Sequence, residues 1–130
     1  MRVTPFLMFQ GGIAEQAIQF YMTLFPDAEI VSLTRYGPGA AGPEGTVMQA
    51  RITIAGQTLM CVDSPINHAF DFTPSFSFFV DCDDDDEVDR LYSALSDQGT
   101  TLMPPGNYGF SRKFAWVNDR FGVSWQVNLP

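Results

Sequence analysis

At 130 residues and a net charge of −8, with a pI near 4.2, the chain is one domain in size and carries the wrong sign to grip a phosphate backbone, so no nucleic acid partner is expected. Hydrophobic residues make up 45%, including 12 Phe, 4 Tyr and 2 Trp, which supplies an apolar core and excludes a disordered chain. The longest apolar runs, at 6–9 and 76–80, fall far short of the about 20 residues of a membrane span, and two cysteines without a C-x-x-C spacing read as reduced thiols, so the expectation is a cytoplasmic protein with no membrane partner.

Val3 to Phe9 reads as a strand closed by Gly11 and Gly12, after which the apolar period turns helical. Ala14, Ala17, Ile18, Tyr21 and Phe25 line one helix face, and the helix ends before Pro26. Ala28 to Tyr36 is a further strand, and 37–45 is a Gly-, Pro- and Ala-rich loop. Thr46 to Ile54 and Gln57 to Val62 flank the two-residue turn Ala55-Gly56 and form a hairpin. The segment from Asp63 to Pro74, with two prolines, an Asn and the only His, connects two halves.

The pattern then restarts. Ser75 to Val80 is a strand, and Val88, Leu91, Tyr92 and Leu95 form a second helical stripe ending at Gly99 as its C′ residue. Phe20-Tyr21 with Leu24 corresponds to Leu91-Tyr92 with Leu95 at an offset of 71. Thr100 to Met103, Lys113 to Asn118 and Val123 to Leu129 supply three more strands, so each half reads βαβββ.

Two helices cover only one face of such sheets. Alternation places Trp125, Val127, Phe76, Phe78 and Val80 towards the helices, with Met48, Ala50, Ile52 and Ile54 doing the same in the first half. Ser75, Ser77, Gln126, Gln49, Arg51 and Thr53 fall on the opposite faces, a mixed polar lining suited to a small-molecule pocket.

Several short blocks carry a likeness to a known family: Pro5-Phe6-Leu7-Met8-Phe9, Ala14-Glu15 with Phe20-Tyr21 and Leu24-Phe25, Arg35-Tyr36-Gly37 with Pro43-Glu44-Gly45, Phe70 and Phe72, Glu87-Val88-Asp89, Trp116-Val117, Asp119, and Phe121-Gly122-Val123-Ser124-Trp125-Gln126. Together they span nearly the whole chain, which resembles the PhnB-like branch of the vicinal oxygen chelate superfamily. That superfamily also contains glyoxalase I, ring-cleaving dioxygenases and bleomycin-resistance proteins. The resemblance implies an α+β fold of paired βαβββ modules forming a cup. It implies a single domain over 1–130, with modules at about 1–66 and 67–130. Members often carry the name 3-demethylubiquinone 3-methyltransferase. The enzymes of the superfamily hold a divalent metal at positions that fall here on Phe6, Met60, Ser75 and Gln126. Two of these offer no hard donor and two are neutral, so no metal and no cofactor is expected, and the four become candidate ligand contacts instead.

The remaining motifs are weaker. Gly37-x-Gly39-x-x-Gly42, with Asp63 further on, matches a dinucleotide or S-adenosylmethionine loop in spelling, but a strand follows it where a helix is required. The run from Asp81 to Glu87 lacks the Gly and Glu of a calcium loop, and it reads as a helix start with Asp83 or Asp84 as N-cap and Glu87 available for a capping box. His68 is the only imidazole and a candidate contact at the rim; Cys61 is read as facing the helices. Arg51 is the candidate that would orient a carboxylate or other anionic group.

The functional expectation is a small organic ligand bound without a metal. A metal-dependent glyoxalase or dioxygenase and a sequestering protein without chemistry are the alternatives. Long strands with exposed edges add the expectation of a homodimer.

Overall fold

The computed structural model describes residues 1–130. The chain divides into two compact units, Met1–Ala69 and Phe70–Pro130, a boundary three residues beyond the one drawn from sequence.

The first unit runs β1 (Phe6–Phe9), α1 (Ala14–Leu24), β2 (Glu29–Arg35), β3 (Val47–Ile54) and β4 (Gln57–Asp63), with sheet order β1-β4-β3-β2. β1 is parallel to β4 and the other pairs are antiparallel. Ala14, Ala17, Ile18, Tyr21 and Leu24 of α1 are buried, the three-and-four spacing that lets one helix face cover β3 and β4. Ala55 and Gly56 both adopt positive φ, 45° and 81°, as a two-residue turn of the right twist requires. In β4 the burial alternates cleanly: Leu59, Cys61 and Asp63 are buried, while Thr58, Met60 and Val62 on the other face are half-buried.

Two expectations fail in this unit. β1 starts at Phe6, not Val3, because Pro5 accepts from the Met60 amide at 2.9 Å but has no N–H to return. Met48 is 45% exposed and does not face α1. The register steps from Thr34↔Gln49 to Arg35↔Val47, so Met48 is the extra residue of a bulge, and Val47 takes the buried place.

The second unit runs β5 (Ser77–Asp81), α2 (Asp85–Ser96), β6 (Thr100–Gly106), β7 (Lys113–Asn118) and β8 (Ser124–Leu129), ordered β5-β8-β7-β6. Asp84 caps α2, accepting from the Glu87 amide at 2.8 Å, and Glu87 reaches back to the Asp83 amide at 3.2 Å. Val88, Leu91 and Leu95 are buried, as is Trp125 of β8.

Here four details depart from the sequence reading. The left-handed residue after α2 is Gln98, φ 61°, rather than Gly99. Gly99 is required for a different reason: a Cβ there would lie 2.3 Å from the Asn118 carbonyl oxygen and 2.8 Å from that of Leu95. Ser75 and Phe76 precede β5, in a turn held by Thr73 and Ser75 hydroxyls 2.7 Å apart. Phe76 is consequently 58% exposed and not beneath a helix; its ring meets Phe78 edge-on, and Phe78 is the one that packs on Trp125, 4.9 Å between centroids. β6 extends through Pro104 and Pro105 to Gly106, which an edge strand with register shifts tolerates.

Candidate functional site

Three of the six candidate contacts form one row in the first unit. The register sets Phe6 opposite Met60, Met60 opposite Arg51, and Arg51 opposite Ser32, so all four lie side by side across β1, β4, β3 and β2. This row is on the face away from α1, since its strand neighbours Leu7, Cys61, Ala50 and Ile52 are the buried ones. Phe6 is 54% exposed, and Met60 and Arg51 are half-buried. Arg51 makes no ion pair, whereas Arg35 is held by Glu15 at 2.6 Å, Lys113 by Asp89 at 2.7 Å and Arg120 by Asp97 at 3.2 Å. Thr53 and Thr58, an opposed pair one step along the same face, add two hydroxyls beside it.

The other three candidates are not part of the row. Gln126 belongs to the second unit, where Phe79 and Trp116 flank it on the face away from α2. Its neighbour on the first strand of that unit is thus Phe79; the sequence alignment nominated Ser75, which lies outside the strand. The Trp116 indole donates to Ser124 Oγ at 2.8 Å, and Ser124 and Ser77 hydroxyls are 2.6 Å apart, so the serines of this face are already engaged. His68 lies in the connection, its backbone N–H donating to Gln10 at 2.6 Å and its Nε2 3.0 Å from Ser64 Oγ. Those contacts pin the connection to the end of β1.

A cleft of about 320 Å³ opens where α1 begins, with Gly11, Gly12, Pro43, Thr46, Asp63 and Ser64 among its lining. Its one charged group is occupied. Asp63, 2% exposed, accepts from the Ala14 amide at 2.9 Å and from the Val47 amide at 2.8 Å, one through each carboxylate oxygen. It is the cap of α1, whose own N-cap residue, Ile13, supplies none. Asp119 does similar work in the second unit, accepting from the amides of Phe121 and Val123 and from the Trp125 indole at 2.9 Å.

The residue chemistry argues against a divalent metal and against a nucleotide-type cofactor. Nowhere do three or more His, Cys, Asp or Glu side chains converge as a metal site, and Phe6, Met60 and the Gln126 amide are poor ligands for a divalent ion. The Gly37–Gly42 loop joins β2 to β3 rather than a strand to a helix, and a Cβ on Gly42 would come within 2.5 Å of the Tyr36 ring. That glycine lets the loop close on Tyr36, with no phosphate cradle at a helix N-terminus. Burial pushes the Cys61 thiol up to about 12, so it stays protonated and un-nucleophilic.

Among solved structures, the PhnB protein from Bacillus cereus is 48% identical, with each chain fully covered and a TM-score of 0.96. Protein YjdN of Escherichia coli is 23% identical over 99% of this chain and 95% of its own length. The fosfomycin resistance protein FosX from Listeria monocytogenes, solved with Mn(II) and 1S,2S-dihydroxypropylphosphonic acid, is 12% identical, with 100% of this chain and 92% of that one covered and a TM-score of 0.64. That last likeness is one of fold alone, the fold of the vicinal oxygen chelate superfamily. The model of the family described as 3-demethylubiquinone-9 3-methyltransferase matches residues 1–128, and with the likeness to the PhnB protein it places this chain in that family.

Proposed function

We propose that this chain binds a small organic acid on the helix-free face of its first sheet, with Arg51 taking the anionic group and Phe6 and Met60 the apolar part. The observation that carries the reading is the state of Arg51: in a chain of net charge −8 it is half-buried, in a row with two apolar side chains, and has no acidic partner. A guanidinium so placed favours a planar, bidentate carboxylate or a phosphonate over water. Metal chemistry has no donor set to rest on, and methyl transfer has no loop for its cofactor, so the reading is one of ligand binding without either.

Native mass spectrometry of the freshly purified protein is expected to retain an anionic small molecule. Arg51→Gln is expected to weaken its binding about 10-fold or more, the usual range for losing a charge-assisted hydrogen bond. A neutral or cationic retained molecule, or equal affinity in the variant, would overturn the proposal. Slow conversion of the retained acid on incubation would make the protein an enzyme; binding without conversion would make it a sequestering protein.

A further inference from the structure

The sheet face that carries Arg51 is divided along its length. Beside the Phe6–Met60 pair the register sets Met8 opposite Val62, so on this face β1 and β4 present four apolar side chains in two adjacent rows. Phe6 is 54% exposed and the other three are half-buried, so all four keep surface open to a ligand. One step along β4 the block ends at Thr58, opposite Thr53. From β3 outwards the face turns polar, with Arg51 opposite Ser32 and Thr53 opposite Glu29.

The apolar block has a size and a chemistry of its own. Neighbouring strands lie about 4.8 Å apart and every second residue of a strand about 6.6 Å apart, so a single six-membered ring can touch all four side chains, whereas a fused ring system or a long chain overruns them. Two of the four are thioethers and one is a phenyl ring. Sulfur and ring faces favour the polarised edge of an aromatic ring, while an aliphatic ring gains only the area it buries. Charge sets a second limit. Arg51 is the cation beside the block, and the next charged group on the face is the exposed carboxylate of Glu29, which has no cation of its own. A second anionic group on the ligand therefore meets like charge towards β2 and no donor towards β1.

We propose that the acid bound at Arg51 is an arylalkanoate: one aromatic ring on Phe6, Met8, Met60 and Val62, one carboxylate on the Arg51 guanidinium, and a short spacer crossing from β4 to β3. This rests on the Arg51 reading and adds to it the aromatic ring and the single charge.

The test is isothermal titration of the full-length protein with 3-phenylpropionate, 3-cyclohexylpropionate and glutarate. The two ring acids share charge and spacer, and the cyclohexyl ring offers at least as much apolar area, so area alone would not favour the phenyl acid. The phenyl acid is expected to bind about 3-fold or more tightly than the cyclohexyl acid, and glutarate more weakly than either. Phe6→Leu and Met60→Leu, which keep the bulk of the block, are each expected to lower affinity for the phenyl acid about 2- to 10-fold and to leave the cyclohexyl acid within about 2-fold, with unchanged circular dichroism. Equal or tighter binding of the cyclohexyl acid or of glutarate, or no saturation by the phenyl acid at about 10 mM, would overturn the arylalkanoate and leave the Arg51 reading to its own test. Ring-acid binding that is unchanged in Arg51→Gln would overturn both.

Discussion

Asp63 shows how much one buried carboxylate does in a chain this small. Its two oxygens bind the amide that opens α1 and the amide that opens β3, so it ties β4 to the helix and to a neighbouring strand at once. Asp63→Ala would leave two buried N–H groups without an acceptor, and we expect a loss of about 2–5 kcal/mol, read as a lower urea midpoint. An unchanged midpoint would mean that water replaces the carboxylate at no cost. Cys61 provides a second test at this scale. Its folded-state value of about 12 lies above the ordinary 9.0, so the folded chain holds the proton more tightly than the unfolded one. The stabilising effect is complete below about pH 9 and declines as pH rises towards 12, so the unfolding midpoint should fall over that window. In the same vein the folded protein should resist thiol-reactive disulfides near neutral pH and react once denatured.

At the level of elements, legibility followed the range of the forces involved. Both helix stripes could be read because three-and-four spacing is local, and the Ala55-Gly56 turn was enough to set Arg51 opposite Met60. The cap of α1 could not be read, since Asp63 lies 49 residues from Ala14 and Gly12-Ile13 gives no capping signal. Phe76 was misplaced because alternation was extended past the point where the turn begins, and β6 was cut short because Pro104-Pro105 reads as a breaker unless its place at a sheet edge is known. Gly99 reads as the C′ residue of α2, a place the structure gives to Gln98, and what requires a glycine at 99 is the close approach of two carbonyl oxygens. Gly99→Ala should destabilise by about 1–3 kcal/mol or more, since the added methyl meets backbone oxygens that have little room to yield. Gln98→Gly should be neutral or stabilising by up to about 1 kcal/mol, because it removes a side chain from a left-handed conformation. An unchanged stability in Gly99→Ala would mean that the backbone around Asn118 yields at no cost.

Across the whole molecule, each four-stranded sheet keeps two edge strands, and the β2 edge exposes Val31 at 56%. We expect a homodimer in solution, about twice the 14.4 kDa chain mass by light scattering at micromolar concentration; a monomer there would count against it. Metal content is the sharper question, because a related fold has been solved with Mn(II). Many of the donors of this chain are already committed elsewhere. Its single His spends Nε2 on Ser64, Asp63 spends its oxygens on backbone amides and Asp119 on two amides and the Trp125 indole, Glu15, Asp89 and Asp97 hold cations, and Asp84 and Glu87 cap α2. A zinc, iron or manganese site needs about three such ligands converging at about 2.0–2.3 Å, and recruiting them would mean dismantling caps and ion pairs that hold the two units in shape. Elemental analysis after dialysis should therefore find well under one equivalent of metal per chain, and added Mn(II) or a chelator should leave the thermal midpoint where it was, since an ion without a site cannot favour the native state. Stoichiometric metal that disappears in Gln126→Ala would show that the amide and its neighbours do what their chemistry argues against.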